Sequence, residues 1–299
     1  MRIAVVGFGF MGKTHVKAIE RLPEVELAGI VGRDQSLEQM LADPSIDAVD
    51  LCLPTDLHES AAIAALRAGK HVLVEKPMAL DGAACDRMIE EAHRQNRVLM
   101  VAQVLRFMPP YTTLAWEMQG ETVRTASFRR RCGKPAWAEW LGDPKRSGGG
   151  VFDLLIHDVD MALQLFGQPE TISATGFKDS ISARYFYRDG MTVEISGGWF
   201  PDGFPFAMEY TLQTDRITLD YHSDSGKVMR YATGLPPEEI TLATAGGYES
   251  EIAYFAECVR TGQPPARCRP EESAGAVRLT LGMIAARARN GEKVAWKSE

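Results

Sequence analysis

Three glycines spaced as G-x-G-x-x-G stand near the start of the chain and constrain its fold more than any other feature. They follow an apolar run at residues 3–6, and apolar residues at helical spacing continue over residues 11–22. A strand, a glycine turn and a helix in this order let backbone N–H groups approach a pyrophosphate. The motif predicts a dinucleotide site formed by Gly7, Phe8, Gly9, Phe10, Met11 and Gly12.

The pattern of strand followed by helix repeats through the first hundred residues. Buried apolar runs at residues 25–31, 48–53, 71–74 and 98–101 alternate with helical patterns at residues 57–68 and 81–96. This alternation predicts an α/β domain, residues 1–119, with a mostly parallel sheet of the Rossmann type. Only a short segment separates Asp34 from Ile46, so we expect one edge strand of the usual sheet to be missing.

The remaining 120–299 segment has a different texture, with many short strands and few helices. Alternating apolar and polar residues predict strands at 123–131, 183–187, 192–196, 208–213 and 217–221, and helical patterns cover 150–166, 249–260 and 271–290. We therefore expect a C-terminal α+β domain with a mostly antiparallel open sheet.

Composition and charge narrow the class of protein. The 299 residues are 45% hydrophobic with a net charge of −7, which argues against binding to nucleic acid, and we interpret Arg129–Arg131 as a solvated strand edge. Five scattered cysteines without CxxC spacing indicate neither a disulfide framework nor a zinc site. The N-terminus does not resemble a signal peptide, and no apolar run is long enough for a membrane span. We expect a cytoplasmic protein.

The end of the second predicted strand bears on the choice of nucleotide. An acidic residue there binds the adenosine ribose of NAD, but this chain has Gly32 and then Arg33. A guanidinium favours the 2′-phosphate of NADP, whereas Asp34 could still support NAD. NADP is slightly favoured, and NAD stays open.

Three side chains form the candidate chemistry. Lys76 follows a buried strand, at the edge of a parallel sheet where ligands bind. Asp153 and His157 are four residues apart, so a helix presents both on one face. Each has an ordinary alternative, a surface lysine and a helix-surface pair. No histidine has partners at metal-ligand spacing, so we expect no metal.

Several motifs together resemble the Gfo/Idh/MocA family of glucose-fructose oxidoreductase and inositol dehydrogenase relatives, over essentially the whole chain. They are the glycine turn, Pro54-Thr55 with His58, the Glu75-Lys76-Pro77 sequence, and the glycine run 148–150 before Asp153 and His157. The resemblance implies hydride exchange between NAD(P) and a carbon of a sugar, polyol or related small molecule. It also implies a second domain that binds substrate and mediates assembly into a homodimer or homotetramer.

The resemblance assigns roles to individual residues. His157 is the expected base with Lys76 stabilising the alkoxide, although a lysine with a lowered pKa could itself be the base, and Asp153 supports them. Pro54, Thr55, His58 and Glu75 are expected at the cofactor with Gly32 and Arg33. Arg106 and Trp140 are candidate substrate contacts, and the Lys76-Pro77 bond is expected to be cis.

Two other functions remain open within the same family. One is a non-catalytic dinucleotide-sensing binding protein, against which the retained Lys76, Asp153 and His157 argue. The other is a glycosidase that uses bound NAD transiently.

Overall fold

The computed structural model describes residues 1–33 and 35–297. The chain forms two compact units: Met1–Met108 with Ala245–Val277, and Pro109–Thr244 with the segment that starts at Arg278. From the sequence, the boundary between the two domains was expected after residue 119. When residues are grouped by their contacts, the first unit instead ends at Met108, and residues 245–277 also belong to it.

The first unit is built on a five-stranded sheet in the order β2-β1-β3-β4-β5, with every paired neighbour parallel. Between β2 and β3 the described residues form only the short helix α2 (Leu37–Leu41), which leaves β2 at the edge of the sheet and agrees with the expected loss of an edge strand. The five strands are β1 (Arg2–Val6), β2 (Glu26–Val31), β3 (Ala48–Leu51), β4 (His71–Glu75) and β5 (Leu99–Ala102).

Helices cover this sheet and complete its core. Asp81 caps the N-terminus of one of them by accepting the Ala84 N–H at 2.8 Å. Another belongs to the returning segment, where Ile252 and Phe255 are fully buried in one core with Ile3 and Val5 of β1. The helices are α1 (Phe10–Ile19), α3 (His58–Arg67), α4 (Gly82–Gln95) and α8 (Gly247–Thr261), with 3₁₀ turns at Thr55–Leu57 and Val104–Arg106.

The second unit contains a nine-stranded sheet in the order β13-β12-β11-β10-β6-β9-β8-β7-β14. Only its β6–β9 pair is parallel among the described strands, so the prediction of a mostly antiparallel sheet is confirmed. The strands are β6 (Val123–Gly133), β7 (Thr171–Gly176), β8 (Ser180–Phe186), β9 (Thr192–Phe200), β10 (Ala207–Thr214), β11 (Ile217–His222), β12 (Lys227–Ala232), β13 (Glu238–Ile240) and β14 (Val294–Ala295).

One face of this sheet is covered by the helix α7 (Gly149–Phe166), which packs on β9 and β6. Gly150 permits that contact, because a Cβ at this position would lie 2.7 Å from the Trp199 ring. The other helices are α5 (Pro109–Glu117), α6 (Pro144–Ser147) and α9 (Pro270–Ala286), whose first half belongs to the first unit, with 3₁₀ turns at Glu139–Gly142 and Arg287–Arg289.

The interpretation of Arg129–Arg131 as a solvated strand edge is wrong. β6 lies inside the sheet, between β10 and β9. Arg130 is only 3% exposed and donates from Nε and Nη2 to the two oxygens of Asp158 at 2.8 and 3.0 Å. Its charge is therefore neutralised by α7. In the part of the chain that the structure describes, no helix is long and apolar enough to cross a bilayer.

Candidate active site

The glycine turn has the geometry that a pyrophosphate requires. Gly7 has φ +96°, and a Cβ there would lie 2.4 Å from the Cys52 carbonyl oxygen, while a Cβ on Gly12 would lie 2.0 Å from the Gly7 oxygen. By contrast, a Cβ on Gly9 would meet no described atom within 4 Å. Gly9, the N-cap residue of α1, provides no side-chain cap, and the start of a helix is where backbone N–H groups and the helix dipole favour an anion. These residues fit a dinucleotide.

The rest of the turn is open to solvent. Phe8 and Phe10 are 45% and 61% exposed, and Met11 is half-buried. At the end of β2, the Gly32 N–H donates to the Gln35 side chain at 2.6 Å, and Arg33 is exposed. Asp34, the residue that could still support NAD, lies outside the described residues.

Lys76 directly follows β4, at the edge of the sheet that also carries the glycine turn. It is half-buried, and its backbone N–H donates to Glu75 Oε2 at 2.9 Å. The Lys76-Pro77 peptide bond is cis, as expected. The Glu75 carboxylate is thus bonded to the lysine's own backbone.

Behind this turn is a buried polar cluster that the sequence did not suggest, formed by His15, Asp50, Cys52, Glu75 and Glu251. His15 Nδ1 lies 2.8 Å from Asp50 Oδ2, and His15 Nε2 lies 3.1 Å from Glu75 Oε1, an ion pair that is not aligned as a hydrogen bond. The ligand atoms of His15, Asp50 and Cys52 lie within 4.8 Å of one another. This cluster brings together residues from α1, β3, β4 and α8.

Burial and neighbouring charge set the protonation of this polar cluster. Burial alone would lower the pKa of His15, but the Asp50 carboxylate raises it well above its usual value. Burial on its own would raise the pKa of Glu75, yet the close contact with His15 brings the net pKa below its usual value. Burial raises the pKa of Glu251 well above normal. These shifts favour the protonated forms of His15 and Glu251 and the ionised form of Glu75.

His58 was expected to contact the cofactor, but both of its ring nitrogens already face backbone oxygens. Nδ1 lies 2.9 Å from the Pro77 carbonyl, and Nε2 lies 2.9 Å from the Leu53 carbonyl. The residue is 1% exposed, and burial lowers its pKa. Pro54 is half-buried and Thr55 is buried in the adjoining turn. The structure therefore gives His58 a contact between two loops.

Arg106, the candidate substrate contact, is 3% exposed and has partners within the first unit. Its guanidinium bonds the Glu272 carboxylate and the Arg267 carbonyl oxygen. The Arg267 guanidinium lies 4.2 Å from the centroid of the Phe107 ring. These contacts tie the turn after β5 to the returning segment, and a role in substrate binding stays a prediction.

The second unit carries Asp153 and His157 on one face of α7, one turn apart and both half-buried. The glycine run 148–150 sets the start of this helix, since Gly148 and Gly149 have φ +78° and +84°. Trp140 packs against a small cluster of Leu141, Leu154 and Trp199. The indole of Trp140 thus lies among core contacts that include Leu154 of α7.

One further polar group in this unit was missed. Asp158, the neighbour of His157, accepts two hydrogen bonds from Arg130, and Arg130 also donates to the Tyr111 hydroxyl at 3.1 Å. The sequence did contain a signal for each of the two missed groups, those around Asp50 and Asp158. Asp50 stands inside a run of apolar strand residues, and Asp158 on the apolar side of a helix, where a charge requires a partner.

Comparisons with known proteins agree with this geometry. Residues 33–103 match the model of an oxidoreductase family with an NAD-binding Rossmann fold, and residues 120–205 match the C-terminal domain of the GFO/IDH/MocA family. The chain is 30% identical to a myo-inositol 2-dehydrogenase of Thermotoga maritima, over 95% of both chains. It is 27% identical to D-xylose 1-dehydrogenase (NADP(+)) 2 of Haloferax volcanii, over 98% of this chain and 99% of that one.

The solved structures show the same fold. A levoglucosan dehydrogenase in complex with NADH and L-sorbose superposes with a TM-score of 0.86, at 16% identity, over 100% of this chain and 99% of that one. The predictions of the two-domain α/β architecture and of the oxidoreductase class are confirmed. The chain belongs to the Gfo/Idh/MocA family of oxidoreductases.

Proposed function

We propose that this protein is an NAD(P)-dependent dehydrogenase or reductase that acts on a CH–OH carbon of a sugar, polyol or related small molecule. The observation that carries the proposal is that the glycine turn and Lys76 both follow the carboxyl ends of parallel strands in the first unit. The uncapped N-terminus of α1 and the open face of Gly9 accept a pyrophosphate there, and Lys76 ends β4 at the same edge. The named dehydrogenase relatives support the substrate class.

The proposed chemistry divides one oxidation between a hydride and a proton. NAD(P), held by the glycine turn, would supply the oxidation by taking up a hydride from the carbinol carbon. The imidazole of His157 accepts the hydroxyl proton, and the ammonium of Lys76 stabilises the developing alkoxide. Asp153 shares the face of α7 with His157 and supports the imidazolium. In the reductive direction the same groups return the proton.

A screen of sugars and polyols with NAD and NADP tests this proposal. We expect His157→Ala and Lys76→Ala to lower kcat by about 10²–10⁴-fold, while the Kd for NAD(P)H changes less than threefold. His93→Ala, at an exposed histidine of the first unit, is the control and should behave as wild type. Full turnover in His157→Ala would remove that residue from the mechanism. Tightly bound cofactor without net reduction of added NAD(P) would favour the glycosidase, and binding without any turnover the sensor.

For the nucleotide, we propose a preference for NADP through Arg33, which is exposed where β2 ends. Fluorescence transfer from protein to reduced nicotinamide measures both affinities. Arg33→Ala should weaken NADPH binding by about tenfold and leave NADH binding unchanged, with the exposed Arg188→Ala as control. Equal losses for both nucleotides would assign Arg33 to the shared part of the cofactor.

We also propose, from the family resemblance, that the uncovered face of the nine-stranded sheet mediates self-association. That face carries polar and charged side chains such as Ser182, Arg184 and Glu194, with Arg184 and Glu194 3.5 Å apart across two strands. Size-exclusion chromatography with light scattering tests it, and a monomer at all concentrations would refute it.

The five free thiols fit the expected cytoplasmic location.

A further inference from the structure

We propose that His15 and His58 are positioning residues that hold the Glu75-Lys76-Pro77 turn from its two ends and thereby fix Lys76. The inference rests on the proposed catalytic role of Lys76. It gives His58 a different role from the expected cofactor contact, and it assigns a role to the buried polar cluster, which the proposed chemistry does not use.

The first of the two positioning contacts is the one that His15 makes with Glu75. His15 is fully buried in α1 and lies between Asp50 of β3 and Glu75 of β4, at 2.8 and 3.1 Å. The other oxygen of Glu75 accepts the Lys76 N–H at 2.9 Å. A continuous path of polar contacts therefore runs from the interior of the sheet to the backbone of Lys76. Its charges alternate in sign from Asp50 to His15 to Glu75, so each contact is attractive in a region that excludes water.

The second positioning contact is the one that His58 makes with Pro77. His58 lies at the start of α3 and contacts the Pro77 oxygen through Nδ1 and the Leu53 oxygen through Nε2, both at 2.9 Å. Because both partners are carbonyl oxygens, each contact is a hydrogen bond only when that ring nitrogen carries a proton, and the neutral ring that burial favours holds the Pro77 oxygen when Nδ1 is protonated. The ring fills the space between the turn after β3 and the turn after β4. Removing the ring would remove this contact to the Pro77 oxygen.

Together the two histidines leave the turn little freedom. Catalytic groups must stay within a fraction of an ångström of their working position, and a shift of about 1 Å can cost a hundredfold in rate. Neither histidine needs to touch substrate or cofactor for this effect. Loss of either should therefore appear in kcat and in the environment of Lys76, and only weakly in binding.

The test uses the full-length variants His15→Gln, Glu75→Gln, their double mutant and His58→Gln. Lys70→Met is the matched control. Lys70 is a buried residue directly before the first residue of β4, at the end of the strand away from Lys76. Its Nζ donates to the Asp43 and Ile46 carbonyl oxygens. The substitution removes comparable polar contacts without touching the turn. Circular dichroism establishes that each variant is folded.

The first readout needs no substrate. Acetic anhydride labels amines, and mass spectrometry of the peptides gives the rate at Lys76 relative to the exposed Lys145. We expect the Lys76 rate to change at least threefold in His15→Gln, Glu75→Gln and His58→Gln, and to stay at the wild-type value in Lys70→Met. Unchanged labelling of Lys76 in all three folded variants would overturn the proposal.

The second readout separates kcat from binding with a substrate found by the screen. We expect kcat to fall ten- to a hundredfold in His15→Gln, with KM and the NAD(P)H Kd within threefold, and the double mutant to be no slower than the slower single mutant. Additive losses, or equal losses in Lys70→Met, would mean a merely structural role. If wild type turns over nothing, the proposed function fails, while labelling still tests the two positioning contacts.

A third outcome concerns metal. The ligand atoms of His15, Asp50 and Cys52 are close enough together to share an ion. Elemental analysis of the purified protein and of His15→Gln distinguishes the cases. One equivalent of a divalent metal that is lost in the variant would overturn the positioning role of His15, and a metal-free active protein supports it.

Discussion

A buried ionic group from each unit can be compared, because each lies directly behind a proposed catalytic residue. Behind Lys76, His15 lies between the carboxyl groups of Asp50 and Glu75, with Glu251 buried in the same core. In the second unit, Arg130 donates two hydrogen bonds to the carboxylate of Asp158, the residue next to His157. Arginine keeps its charge at every physiological pH, whereas histidine can lose its proton. The support of α7 is therefore insensitive to pH, and the support of the lysine turn is not.

The largest effect should come from breaking the pair in the second unit. Asp158→Ala leaves the buried Arg130 charge without its carboxylate, which typically costs about 3–5 kcal/mol. Urea denaturation measures the loss. The double variant Arg130→Met with Asp158→Leu should recover most of it, because two apolar side chains remove both buried charges. If Asp158→Ala is as stable as wild type, the pair is not a structural anchor.

An intermediate effect of opposite sign is expected from Glu251 in the first unit. Its two carboxyl oxygens have no hydrogen-bond partner among the described residues, so Glu251→Leu should stabilise by about 1–3 kcal/mol at pH 8. Because the folded pKa is raised above the unfolded value near 4.3, folding takes up a proton above that pH. The gain should thus be smaller at pH 5. Destabilisation at both pH values would mean that the carboxyl has a partner, such as a bound water.

The third effect is a slope with pH rather than a fixed loss, and it concerns the stability of the first unit. The pKa of His15 is raised, so its stabilising contribution is complete below the unfolded value of about 6.5 and is lost as pH rises through the folded pKa. For one proton the slope is about 1.4 kcal/mol per pH unit. Thermal unfolding between pH 6 and 9 should lose this component in His15→Gln. The Arg130 pair contributes no slope here, and Lys70→Met should retain that of wild type.

The comparison also shows what the sequence could and could not predict. The glycine turn, the parallel sheet, the missing edge strand and the cis bond before Pro77 depend on local motifs, and each was predicted. The strands β7, β12, β13 and β14 were missed. Of these, β13 and β14 have only three and two residues, and all four lie at an edge of the sheet or next to one. The helix α5 before β6 was missed as well.

The candidate site was predicted unevenly for a physical reason. Lys76, Asp153 and His157 belong to motifs, and their joint action is still a prediction. The partners of His15 and Arg106 come from elements far apart in sequence, and contacts of that kind depend on the folded path of the chain. Residues 245–277 supply Glu251, Arg267 and Glu272 to the first unit, although their position in the sequence pointed to the second. Asp50, a buried aspartate in β3, was the one local clue to the contacts of His15.

The return of residues 245–277 has a consequence for synthesis on the ribosome. Ile252, Phe255 and Cys268 complete a core that starts with Ile3 and Val5, so the nucleotide-binding half cannot close until the far end of the chain has emerged. At 5–20 residues per second, the first 108 residues wait roughly ten to thirty seconds for their missing helix. During that interval the apolar edge they present is open to chaperones, and a nascent chain stopped before residue 245 would be a substrate for quality control.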